Sequence, residues 1–225
     1  MGIGNILVLA QVTAYVLIFL LSFFIVVPAG INQTNFDGNC VLFSTGTWHR
    51  NASSNHFRID AWGDRSVCNF TIYIGIVSLM ASFILAVRLS IFLCREADSS
   101  FLGAFLTLVA NVFIAVMLFA DCLVFTLGFK FFCRQLVLSL DSGVLRCSEA
   151  DYIEWSSDPN LNTSGLIIQL GMTQFGCWSA WVCWVVVVVM SVIKLWKYSQ
   201  HESFLRSIQR EKDRLFGNYS QSEII

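Results

Sequence analysis

Four apolar stretches, each long enough to cross a bilayer, constrain this chain more than any other feature. They cover residues 6–27, 70–93, 101–127 and 166–193. Crossing hydrocarbon takes about 20 mostly apolar residues, each rising about 1.5 Å along a helix. Apolar side chains run all round each helix rather than along one stripe, as lipid-embedded or bundle-core helices require. The alternation of a membrane barrel is absent. The expectation is an all-α membrane protein: a four-helix transmembrane bundle. Composition agrees, with 56% hydrophobic and only 13% charged residues over 225 positions, and a mean hydropathy of +0.68. A soluble domain carries about a quarter charged residues. The net charge of −1 offers no basic face, so no nucleic-acid partner is expected.

The first stretch reads as a retained helix. Residues 1–5 hold no Lys or Arg, and no small-x-small cleavage site follows the apolar run. It is expected to stop at Pro28-Ala29-Gly30. Segments 28–69 and 128–165 then form two outer loops, and 194–225 a tail. Basic residues crowd the short linker around Arg95 and the tail, at Lys194, Lys197, Arg206, Arg210, Lys212 and Arg214. The positive-inside rule puts that side, with both termini, in the cytoplasm. The sequons at Asn32, Asn51, Asn69 and Asn162 lie on the opposite side. Asn32, Asn51 and Asn162 are the glycosylation candidates; Asn69 abuts the second span, and Asn218 falls in the tail. The expected residence is the plasma membrane or a secretory-pathway membrane.

The cysteines divide by side. Cys40 and Cys68 fall in the first outer loop, Cys133 and Cys147 in the second. Even numbers of thiols in an oxidising compartment read as disulfides. Pairing within each loop closes the shorter rings and is favoured, with cross-loop pairing the alternative. Cys122, Cys177 and Cys183 lie within spans as small packing residues. Cys94, beside Arg95, is a palmitoylation candidate. The three histidines show no metal-site spacing with cysteine, so neither metal nor cofactor is expected.

In the first loop, residues 40–48 are rich in strand formers, and 56–63 alternate before a turn signal at Gly63. A small disulfide-tied, partly β extracellular part follows, with Trp48 and Trp62 favoured as its core and exposed recognition aromatics as the alternative. Within the spans, Asp121 is the sole carboxylate; such a group is a functional hypothesis by default, but a structural carboxyl hydrogen-bonded to a neighbouring helix is the favoured reading. Asn111 is deeper in the same helix and about 80° round it, so the two form no single stripe. Spans one and two offer them few partners. Gly171, Gly176, Ala180 and Cys183 provide small residues in span four, and Trp178, Trp181 and Trp184 recur beside them as packing or partner-contact residues. Beyond the membrane, Phe204, Ile208 and Leu215 suggest a short amphipathic helix along the inner leaflet.

The chain resembles the transmembrane protein 179 family, nearer its first vertebrate paralogue than the B-type. Carrying segments are 36–43, Trp62-Gly63 running to Cys68, 99–106, Cys133, Cys147-Ser148-Glu149 and 173–181. The resemblance implies four spans and membrane residence and assigns no catalytic residue. Two cysteine-bearing loops between cytoplasmic termini also suggest claudin-like or tetraspanin-like architecture, by analogy alone. The favoured function is a non-enzymatic interaction or accessory protein whose surroundings are the bilayer and a membrane-protein partner or a second copy. The alternative is a small channel or transporter using Asp121 and Asn111.

Overall fold

The computed structural model describes residues 3–50, 55–95, 101–137, 147, 154–155 and 165–222. Four helices carry the chain: α1 (Ile3–Asn35), α2 (Arg65–Arg95), α3 (Phe101–Val137) and α4 (Leu166–Ser222). Between α1 and α2 lie β1 (Cys40–Arg50) and β2 (Asn55–Gly63); the short β3 (Glu154–Trp155) precedes α4. The helices contain candidate spans at Ile6–Asn35, Arg65–Leu93, Gly103–Val137 and Leu166–Lys197. The bundle's outer surface is apolar, with Phe113 and Phe175 each 64% exposed. In water such a belt would be untenable; in lipid it is the ordinary surface. The expected four-helix membrane bundle with a small β part is what the chain forms.

Helix α1 packs along α2 and α4, and α3 along α4 and, more lightly, α2. This leaves α1 and α3 diagonal across a core of Tyr15, Ile18, Ile25, Leu118, Ala180 and Trp184. Two glycines set its tightness. A Cβ on Gly176 of α4 would fall 2.9 Å from the Phe24 carbonyl carbon, and one on Gly75 of α2 would fall 2.8 Å from Val26. Both crossings hold α1 near Ile25, where backbones approach because no side chain intervenes.

The sequence expectation placed the end of the first helix at Pro28, and the structure corrects it. Helix α1 continues through a buried Pro28 to Asn35. Proline removes one ladder bond, which a helix packed among neighbours tolerates. The stop is Asp37-Gly38, where both residues take positive φ (51° and 76°). The Gly38 N–H donates to the Gln33 carbonyl and the Asp37 N–H to Thr34, the paired bonds of a Schellman cap. The expected separate tail helix is likewise absent: α4 runs unbroken from the span to Ser222. No Gly or Pro interrupts it between residues 177 and 216.

The end of the bundle away from the termini is capped by a sheet ordered β1-β2-β3, antiparallel between β1 and β2 and parallel between β2 and β3. A bulge between Cys40 and Thr45 breaks the β1–β2 register and puts Phe43 at φ 62°. Its ring lies over Gly128 of α3 and against Phe131, with centroids 6.0 Å apart. Phe36, Leu42, Phe57, Phe132, Leu136 and Leu166 fill one apolar core shared by the sheet and the helix ends. Trp48 packs on Phe57 at 5.3 Å and Trp62 on Phe36 at 5.8 Å, so both tryptophans belong to this core. Cys40 is bonded to Cys68 and Cys133 to Cys147. The first bridge ties β1 to the start of α2; the second ties the end of α3 to the segment leading to β3.

Candidate functional site

Polar side chains are few in the spans, and the folding of four apolar helices forces them inward, away from lipid that offers no hydrogen bonds. They gather in clusters, each stitching together several helices.

Nearest the end that carries the termini, Asn111 of α3 sits fully buried between α1 and α4. Its Nδ2 donates to the Tyr15 hydroxyl at 2.8 Å and to the Ser191 hydroxyl at 3.1 Å. Gln11 reaches the same Ser191 at 3.4 Å. The Tyr15–Asn111 pair thus bridges the diagonal that the helix packing leaves open. At mid-depth, the Ser22 and Ser78 hydroxyls lie 3.0 Å apart, and the Trp184 indole N–H donates to Ser78 at 2.9 Å. That cluster joins α1, α2 and α4.

Closer to the cap, Asp121 is fully buried. The Thr71 hydroxyl of α2 donates to its Oδ1 at 2.7 Å, and the Cys177 thiol of α4 donates to its Oδ2 with a separation of 3.6 Å. Each carboxyl oxygen therefore has a donor from a different helix. Next to it, Trp178 donates to the Thr126 hydroxyl at 3.1 Å. Trp181 packs against Phe119 with centroids 5.1 Å apart. At the cap boundary, Gln33 of α1 donates to Asn69 of α2 at 2.7 Å.

The structure keeps Asp121 and Asn111 apart, as their helical phase requires, and corrects the expectation that spans one and two offer few partners. Gln11, Tyr15 and Ser22 come from α1, and Thr71 and Ser78 from α2. Cys177, read as packing, is also a donor. Sequence reading missed these residues because a lone hydroxyl in an apolar run carries no facing information by itself. Apolar residues of the same core separate the clusters: Ile18 lies between Tyr15 and Ser22, Ile74 between Thr71 and Ser78, Leu118 between Asn111 and Asp121.

The modification candidates fare differently. Asn32 lies in the last turns of α1 and is 6% exposed, with its amide nitrogen buried and unpartnered. A glycan acceptor belongs on an exposed loop, so this setting does not suit Asn32 to the role its sequon suggests. Asn51 and Asn162 lie outside the described residues, as does the side chain of Cys94, whose backbone closes α2. Among the described residues no group of three metal-ligating side chains occurs.

A family model described as the transmembrane protein 179/179B claudin domain matches residues 7–216. No solved structure matches the chain.

Proposed function

The chain belongs to the transmembrane protein 179/179B claudin-domain family, and from that premise we propose that it acts by interaction: a non-enzymatic accessory or organising protein of a plasma or secretory-pathway membrane. The observation that carries this reading is the division of labour in the fold. The polar clusters around Asn111, Ser78 and Asp121 are spent on one another, whereas the disulfide-tied sheet is welded to the outer helix ends through one apolar core. A scaffold that presents a rigid outer face and a lipid-facing surface is suited to recognition.

In this reading the cap faces an oxidising compartment, which the two bridges support, and the opposite end, with Arg88, Lys194 and the long α4, faces the cytoplasm. Within the family, this reading takes the chain as nearer the first paralogue than the B-type. Affinity capture of the full chain in mild detergent tests the interaction reading. The expected result is a stoichiometric membrane-protein partner, or a second copy, whose recovery falls when Cys40 and Cys68 are both replaced by serine. Failure to recover either across several native tissues would count against it. A small channel is the second reading, favoured by the burial of Asp121 among groups from three helices. It requires a conductance that Asp121→Asn abolishes.

A further inference from the structure

Among the described residues three cysteines are free: Cys122, Cys177 and Cys183. Two of them meet inside the bundle. Cys122 of α3 and Cys177 of α4 are 1% and 0% exposed, and their thiols lie close enough to hydrogen-bond to each other. Helix register brings them together. Cys122 shares a face of α3 with Thr126, one turn on, and Thr126 meets Trp178, the residue after Cys177. The residue before Cys122 is Asp121, whose Oδ2 accepts from the Cys177 thiol with a separation of 3.6 Å. Alanine at either position would serve packing alone. Two thiols in contact, with a carboxylate on one of them, make a group that can do chemistry.

We propose that Cys122 and Cys177 are a redox pair, which hydrogen peroxide closes into a third disulfide, inside the bundle and between α3 and α4. Cys177 is the nucleophile. Both oxygens of Asp121 act as acceptors, one from Thr71 and one from Cys177, so its carboxylate is placed to take the Cys177 proton. The resulting thiolate attacks one peroxide oxygen. The O–O bond breaks, an S–O bond forms, and the departing hydroxide recovers the proton from Asp121 and leaves as water. Cys177 is then a sulfenic acid, which condenses with a neighbouring thiol. The Cys122 sulfur displaces the hydroxyl group, the S–S bond forms, and the hydroxyl leaves with the Cys122 proton as a second water. The two thiols lose two electrons, the peroxide oxygens gain them, and the carboxylate is regenerated. A disulfide bond is about 2.05 Å long, so the sulfurs close the remaining gap by side-chain rotation. Hydrogen peroxide is uncharged and little larger than water, which suits it to a core that both lipid and protein surround. Whereas the Cys40–Cys68 and Cys133–Cys147 bridges tie the cap, this one locks two spans at the level of Asp121.

The pair stands whichever partner the cap recognises, and its test is independent of that partner. The purified full chain in phosphatidylcholine nanodiscs is treated with hydrogen peroxide, alkylated, and mapped without reduction. The expected product is a pair of peptides from one chain joined through Cys122 and Cys177, with both cap bridges intact. Cys183, the more exposed thiol, should stay outside any bridge. Asp121→Asn keeps an acceptor for Thr71 but cannot take the proton. It should slow formation of the bridge about a hundredfold, the low end of general-base assistance, while the same two cysteines join. An unchanged rate in that variant would overturn the part given to Asp121. The wild-type chain decides the pair without any substitution. Cys122 and Cys177 left unlinked by peroxide, a sulfinic or sulfonic acid on Cys177 in place of the bridge, or Cys177 joined to Cys183 or to a second copy would overturn it.

Discussion

Asp121 takes one donor on each carboxyl oxygen, and those donors decide what its replacement does. Asparagine keeps an acceptor for the Thr71 hydroxyl at nearly the same volume. Leucine removes it and leaves the hydroxyl only the long 3.4 Å contact to its own Val67 carbonyl. Asp121→Leu should therefore cost about 1–3 kcal/mol in thermal unfolding in detergent, and Asp121→Asn clearly less. Equal losses would mean the carboxylate has a role beyond holding helices together. A second carboxylate reports on pH. Asp64 caps α2, accepting the Ser66 backbone N–H at 2.9 Å, and this bond together with the Ser66 side chain holds its carboxyl below the usual range. A depressed folded-state value means the cap's contribution is full above the unfolded-state pKa and is lost as pH falls through the folded one. Amide protection at Ser66 and Val67, taken against intrinsic exchange at each pH, should fall in acid for the native chain, and the acid-specific part should vanish in Asp64→Asn. At this scale the sequence was half legible. Asp121 and Asn111 stand out in apolar runs, but Thr71, Tyr15 and Ser191 gain meaning only when packing turns them toward those two.

Helix contacts rest on absences of side chain, and these make sharper tests than the contacts themselves. At Gly176 even a methyl group would press on the backbone of α1. Gly176→Leu is expected to push α1 from α4, lowering the melting temperature by an amount equivalent to about 1–3 kcal/mol. Gly171, in the same helix, has open space around its missing Cβ and should accept alanine without loss. A matching pair of melting curves would refute the close-packed crossing. Small residues in span four were visible in the sequence, yet which of them meets a neighbour was not, since that depends on helix rotation. Pro28 shows the opposite error. Its local preference to end a helix yielded to packing, while the Asp37-Gly38 signal nine residues on marked the true end.

The molecule as a whole is a lipid-embedded bundle with a covalently pinned cap. Periodicity made the bundle legible, and cysteine arithmetic made the cap's cross-links legible. Strand β3 was not, because two residues pairing with distant β2 leave no pattern to read. Each bridge should stabilise by about 3 kcal/mol on the chain-entropy model. Non-reducing peptide maps should show Cys40 joined to Cys68 and Cys133 to Cys147; any bridge between the two pairs would contradict the cap. The central claim is that the buried polar groups fasten the bundle and line no path through it. Ion and proton flux across sealed vesicles holding the purified chain tests this most directly. The account predicts flux no greater than in empty vesicles, unchanged by Asp121→Asn. A conductance that appears with the wild-type chain and disappears with Asp121→Asn would contradict it.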